Sequence, residues 1–273
     1  LKSKMPWGIS VPDDTDHVMY VWFDALVNYI STLGWGSQSD DNFKKYWLTG
    51  SPTQYCGKDN TRFQAVMWQA MLMAAGVKNS YQIVVDGHIT AEGGVKMSKT
   101  LGNVVDPKEI SAEYGIDALR YFLLREISSF EDSPFTKERF KEAYNANLAN
   151  GLGNLVSRIM KMAADNLEEP AEIPEWEDMT EYFNIFETFD LKKAADFVWE
   201  KIGEMDKFIQ ENQPFKVVKT DKEKGKEMIG DLVVRLYSVA RMLNPLLPET
   251  SQKIKSLIKE NKTPEAPLFA RKD

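Results

Sequence analysis

Cysteine is almost missing from this sequence. Cys56 stands alone among 273 residues, which excludes an internal disulfide and a multi-cysteine zinc site and fits a reducing compartment. Histidine is nearly as scarce: His17 and His88 are the only two, and neither has a partner pattern for metal or triad chemistry. No apolar run is long enough to cross a bilayer, and no cationic-then-apolar leader opens the chain. A cytoplasmic location without a membrane partner is therefore the expectation. Positive charge is not in excess either. With a net charge of -7, nucleic acid cannot be held by a globally basic surface, so any such contact must be local. Repeats and low-complexity tracts are absent, and the chain opens at Leu1 without an initiator methionine or an evident cap.

What is present fits an ordinary globular protein of about two domains, 43% hydrophobic and 27% charged. Residues 18–22 (Val-Met-Tyr-Val-Trp) form a β-type run, and residues 23–33 read as a helix ended by Gly34 and Gly36. A short strand at 55–57 leads into a helix over 61–75, and a clearer strand covers 81–85. Alternating strands and helices predict a parallel α/β sheet, whose ligands sit at the carboxyl ends of strands. Gly57-Lys58-Asp59 and Asp86-Gly87-His88 fall at such ends. Beyond 112–126, read as helical, the periodic segments are all helical. Phe140, Tyr144, Leu148, Leu152, Leu155, Ile159 and Met162 mark one apolar face; Leu191 to Ile209 and Ile229 to Ala240 mark two more, and residues 248–259 a fourth. These predict an all-α antiparallel bundle, with the domain boundary near Ser133-Pro134. The acid-rich stretch 165–187 reads as a linker.

The chemistry concentrates at residues 93–103, Gly-Gly-Val-Lys-Met-Ser-Lys-Thr-Leu-Gly-Asn. Glycines let backbone approach a ligand closely, and ammonium groups at Lys96 and Lys99 can neutralise a polyphosphate as it separates. The spacing is not that of a Walker loop. An ordinary flexible Lys/Ser turn has the same composition. The letters themselves, Lys96-Met97-Ser98-Lys99-Thr100, resemble the KMSKS signature of class I aminoacyl-tRNA synthetases, with Thr100 at the final serine.

Four further stretches resemble methionyl-tRNA synthetases in order and spacing. They are residues 20–26 (Tyr-Val-Trp-Phe-Asp-Ala-Leu) with Tyr29; Gly57-Lys58-Asp59 with Phe63 and Trp68; Asp117-Ala118-Leu119-Arg120-Tyr121; and the Asn-rich run 145–150 leading to 154–158. The resemblance implies the C-terminal half of a Rossmann-type parallel sheet, a lysine-loop (stem-contact) region within 1–134, and a helical anticodon-binding domain over 135–273. It implies a methionine pocket from Trp22, Ala25, Leu26, Tyr29, Asn60 and Gln64, and ATP contacts from Gly57, Lys58, Asp59, Gly87, Ile89, Lys96, Met97, Ser98 and Lys99. An aromatic wall suits a polarisable thioether. Lys96 and Lys99 would be the catalytic cations. Leu26 stands where a proline is common, Gln64 where many relatives carry histidine, and Asp86 where a histidine precedes Gly87. Glutamine does not titrate near neutrality, so its role would be positioning.

Asn147, Asn150, Asn154 and Arg158 share one helical face, suited either to the edges of splayed-out bases or to helix–helix polar contacts. The second reading is preferred for Asn147 and Asn150. The resemblance assigns Asn154 and Arg158 to anticodon reading, with Phe215 as the stacking residue where the family has tryptophan. The implied activity is ATP-dependent methionine activation and transfer to tRNA(Met), with Mg²⁺ assisting and no zinc or other metal ligand expected in this chain. The family's His-x-Gly-His segment and its zinc-bearing insert have no counterpart here, so the isolated chain is expected to be inactive without an N-terminal half. The alternatives are a stand-alone tRNA-binding module, a subunit of a split synthetase, or another class I ligase.

Overall fold

The computed structural model describes residues 7–175 and 177–273, apart from the side chain of Lys99. They fall into two compact units, Leu1–Gly87 and His88–Asp273. The division places the lysine loop with the helices, whereas sequence puts the boundary at 134.

In the first unit, Ser10–Val11 pairs antiparallel with Asp14–Val18, turning at Asp13 with φ +61°. The β-type run over 18–22 does not continue as a strand: Tyr20 is the extended cap of a helix, Val21–Ala25. Helical spacing wins because it sends Trp22, Leu26 and Ile30 to one hydrophobic cluster, while Tyr20, Val21 and Phe23 stay exposed. After a tightened turn the helix resumes as Asn28–Ser31, and Gly34 ends it at φ +95°. A Cβ there would lie 2.1 Å from the Ser39 carbonyl oxygen, so only glycine fits.

The strand Thr53–Gly57 pairs in parallel with Gln82–Asp86, in a register that sets Gly57 opposite Asp86. The broader parallel sheet expected from sequence is not formed: among the described residues this unit has that one parallel pair. Between the two strands the chain makes a 3₁₀ turn, Lys58–Asn60, a wide π turn, Phe63–Met67, and a helix, Trp68–Ala74. Leu26, Ile30, Phe43, Trp47, Trp68 and Leu72 form the core beneath them.

The second unit opens with Ile89–Thr90 paired in parallel with Ser133–Pro134, which brackets the lysine loop and the helices after it. The helical stretch expected over 112–126 starts earlier and is broken. Pro107–Tyr114, capped by Asp106, ends at Gly115 (φ +90°), and Ile116–Tyr121 then runs into a π turn over Phe122–Glu126. Lys137–Ala143, a π segment Tyr144–Gly153 and Asn154–Asn166 follow without interruption. Leu191–Asn212, Lys222–Leu243 and Pro248–Glu260 are the other long helices. Two short ones were not foreseen, Thr180–Phe186 inside the acidic stretch and Pro214–Thr220. Lys222–Leu243 packs against four of these helices: Asn154–Asn166, Leu191–Asn212, Pro214–Thr220 and Pro248–Glu260. Its apolar stripe, Ile229, Val233, Leu236 and Ala240, is buried as the periodicity requires.

Candidate functional site

The first unit brings the aromatic residues together. Trp22 stacks on Phe63 with ring centroids 4.9 Å apart and planes 8° from parallel, and Tyr20 tilts against Phe63 at 5.9 Å. Tyr29, half-exposed, tilts against buried Trp68. Gln64 is 3% exposed and donates from Nε2 to the Tyr29 hydroxyl at 2.8 Å, leaving its Oε1 without a partner. Trp68 Nε1 is likewise a buried donor without an acceptor. Leu26 is 1% exposed inside the core, whereas Ala25 lies on the exposed face. Gln69, not singled out by sequence, explains how the wide turn is held. Its Nε2 donates to the Gln64 carbonyl at 2.9 Å and to Ser80 Oγ at 3.1 Å, and its Oε1 accepts from Ser80 N and Asn79 Nδ2. A π turn leaves carbonyls without their usual partners, and Gln69 supplies one.

At the strand ends, Gly57 leads into the turn that carries Lys58, Asp59 and Asn60, the first two exposed and Asn60 half-buried. Opposite Gly57, Asp86 accepts a hydrogen bond from the Tyr55 hydroxyl. Burial, helped by that carboxylate, pushes the Tyr55 phenol up to about 12. Burial raises Asp86 above the ordinary carboxylate range and, with Asp86 adding its charge, raises the buried Cys56 thiol. Such a thiol is a poor nucleophile. Gly87, half-buried, follows Asp86.

In the second unit, Ile89 is exposed beside the lysine loop. Ala91 N donates to Val95 O at 2.8 Å, Lys96 bridges back to Thr90, and Gly93 and Gly94 turn between them at φ +70° and +77°. Met97 packs against the helical core, and Ser98 Oγ accepts from Leu101 N at 3.2 Å. Asn103 reaches back to this segment: its Oδ1 accepts from Ser98 N at 2.8 Å and its Nδ2 donates to Lys96 O at 3.2 Å. Lys96 is exposed; the side chain of Lys99 lies outside the described residues. His88 donates its backbone N–H to Asp132.

Farther along this unit, Asn154 is exposed at the start of its helix, and Arg158 one turn on donates from Nη1 to Asp206 Oδ1 at 2.7 Å. Arg158 also lines a groove of about 420 Å³ with Ser157, Lys161 and the C-terminal tail at Thr263 to Pro267. Phe215 is 42% exposed in the first turn of Pro214–Thr220, and Lys216 Nζ lies 6.0 Å from its ring. The preferred reading of Asn147 and Asn150 is corrected. Among the described residues no hydrogen bond joins either to another helix; Asn147 is half-buried and Asn150 exposed on the π segment. Their neighbour Asn145 bonds to the C-terminal tail, exchanging two hydrogen bonds with the Lys272 backbone at 2.7 and 3.0 Å.

The Asp117 to Tyr121 stretch proves to be a fastening. Asp117 Oδ2 accepts from Thr250 N at 2.7 Å, at the start of Pro248–Glu260. Arg120 donates to the carbonyls of Leu246 and Pro245 at 2.7 and 2.9 Å.

Comparison with known proteins gives the family. The family described as "tRNA synthetases class I (M)" matches residues 1–160. The methionine–tRNA ligases of Clostridium acetobutylicum and Caldanaerobacter subterraneus are 38% and 35% identical, each over 93% of this chain and 42% of the relative. The chain thus spans less than half the length of these curated relatives. Mycobacterium tuberculosis methionyl-tRNA synthetase in complex with methionyl-adenylate superposes with a TM-score of 0.80 at 33% identity, over 93% of this chain and 53% of that one. A family match over more than half the chain, carried through into the fold, shows that the chain belongs to the methionyl class I tRNA synthetases.

Proposed function

We propose that the complete protein of which this chain forms part activates methionine with ATP and transfers it to tRNA(Met). The aromatic wall carries the reading. Trp22 on Phe63, with Tyr29 bonded to neutral Gln64, offers a thioether polarisable ring surface and one uncharged polar pair. Whichever way the Gln64 carboxamide is turned, the bond to Tyr29 uses one of the pair's three donor hydrogens. Asn60, Ala25 and Leu26 complete the assignment, Leu26 as floor.

By the resemblance, Gly57 and Asp59 would take the ATP ribose, Gly87 and Ile89 the adenine, and Lys58, Lys96, Met97, Ser98 and Lys99 the phosphates. The methionine carboxylate attacks the α-phosphorus, the bond to the bridging oxygen breaks, and pyrophosphate leaves. Charge neutralisation and positioning dominate such a transfer. Lys96 and Lys99 act on the departing group. Mg²⁺ would arrive on the ATP phosphates, where it supplies further neutralisation. A phosphate-borne ion needs no dedicated carboxylate cage, and none converges among the described residues.

Over residues 1–134 we assign the catalytic part, with the parallel pair Thr53–Gly57 and Gln82–Asp86 as its share of a Rossmann-type sheet, and over 135–273 an antiparallel helical domain in which Asn154, Arg158 and Phe215 read the anticodon. Asp206 holds the Arg158 guanidinium by one nitrogen and leaves its other donors for a base.

Lys99→Ala in the complete enzyme should lower the rate of methionine-dependent pyrophosphate exchange by about 100-fold, with the methionine KM nearly unchanged. Equal losses in both would overturn the role of the lysines. The isolated chain should bind an anticodon stem-loop yet catalyse no exchange. Activity restored by a separately expressed N-terminal half would identify a split enzyme, and activity of the chain alone would refute the need for that half.

A further inference from the structure

We propose that Asn103 is a positioning residue that gives the lysine loop its shape before any phosphate arrives. Three glycines at positive φ, Gly93 and Gly94 before the lysines and Gly102 (+66°) after them, leave both ends of the segment free to bend. Upstream, the Thr90 to Lys96 bridge and the Ala91–Val95 hydrogen bond hold the backbone. Downstream of Lys96 no strand continues the pairing.

Asn103 takes over there. One planar carboxamide accepts from Ser98 N at 2.8 Å and donates to Lys96 O at 3.2 Å, so it engages the peptide groups on both sides of Met97 much as a neighbouring strand would. Met97 anchors the bracketed residue in the helical core, and Ser98 Oγ caps the following 3₁₀ turn, Lys99–Leu101.

The chemistry specifies asparagine. Aspartate keeps the acceptor for Ser98 N but turns a second oxygen toward the Lys96 carbonyl; alanine keeps neither bond. Ordering a glycine-rich cationic loop in advance removes an entropy cost from the step in which charge develops. This catalytic consequence rests on the synthetase reading; the bracing itself does not.

Two measurements separate them. In the purified chain, trypsin cleavage after Lys96, followed by mass spectrometry, should be about fivefold faster or more in Asn103→Ala, while helicity and melting temperature stay those of the wild type. Unchanged cleavage overturns the brace. In the complete enzyme, Asn103→Ala and Asn103→Asp should each lower kcat for methionine-dependent pyrophosphate exchange by about tenfold or more, with the methionine KM within about twofold. Full activity in both variants overturns the positioning role even if cleavage rises. If the wild-type complete enzyme shows no methionine-dependent exchange, the synthetase reading falls, and cleavage alone decides the brace.

Discussion

Tyr55 shows how a single residue reports on the strand ends. Its phenol lies above the ordinary 10.0, at about 12, because burial and the Asp86 carboxylate both oppose the phenolate. A raised phenol contributes stability that is fully present below pH 10 and is lost as pH rises from 10 through about 12. Tyr55→Phe should remove one late-titrating phenol from the 295 nm absorbance curve and soften the alkaline loss of structure in the first unit. Superimposable curves would mean that Tyr55 and Asp86 are not paired in solution. The raised Asp86 has the same sign: its ionised form is disfavoured in the fold, so Asp86→Asn is expected to raise stability at neutral pH. At the residue scale the sequence singles out side chains that a motif names, as at Lys96 and Tyr29. It does not single out Gln69, Asp206 or Asn103's two bonds, because each acts on an atom that only folding brings within reach.

Between elements, close approach sets what is allowed. Gly225 lies where Lys222–Leu243 meets Pro214–Thr220, and a Cβ there would sit 2.3 Å from Val218 Cα. Alanine gains about 1 kcal/mol of helix propensity, but a clash with backbone costs about 1–3 kcal/mol and displaces the short helix that carries Phe215. On the proposed anticodon role of Phe215, Gly225→Ala should weaken anticodon stem-loop binding, measured by fluorescence anisotropy, with little or no gain in melting temperature. A variant that is more stable and binds normally would contradict the contact. Asp117→Ala is a second test. It removes the carboxylate that caps Pro248–Glu260 and should cost about 1–3 kcal/mol in urea unfolding. The helices were readable from periodicity because each buries a stripe at helical spacing. The breaks were less so: Gly115 reads as one more residue of a helix until its φ of +90° is seen, and π turns leave no periodic mark of their own.

For the whole molecule, two separate cores decide the order of opening. One cluster joins Leu26, Ile30, Phe43, Trp47, Trp68 and Leu72; the other runs from Ile110 to Phe269 and includes the interior of every long helix. The first unit also exposes Met19, Tyr20, Val21, Phe23 and Trp35. Stability follows buried apolar area, so its amides over 53–86 should exchange with deuterium well before those of Lys222–Leu243. Uniform protection across both units would refute this. The lysine loop falls within the second unit, where Met97 packs against the larger core.

The sequence by itself determined the family and the helical character of the second unit. Those properties live in local spacing and in letters whose chemistry does not wait for neighbours. Tertiary structure decided the rest: that the run from Val21 onward enters a helix instead of a strand, that Leu26 is core, that Asp117 and Arg120 fasten helix Ile116–Tyr121 to the start of Pro248–Glu260, and that Asn145 holds the C-terminal tail. Each depends on which buried surface or unpaired backbone group lies opposite, and that partner is distant in the chain.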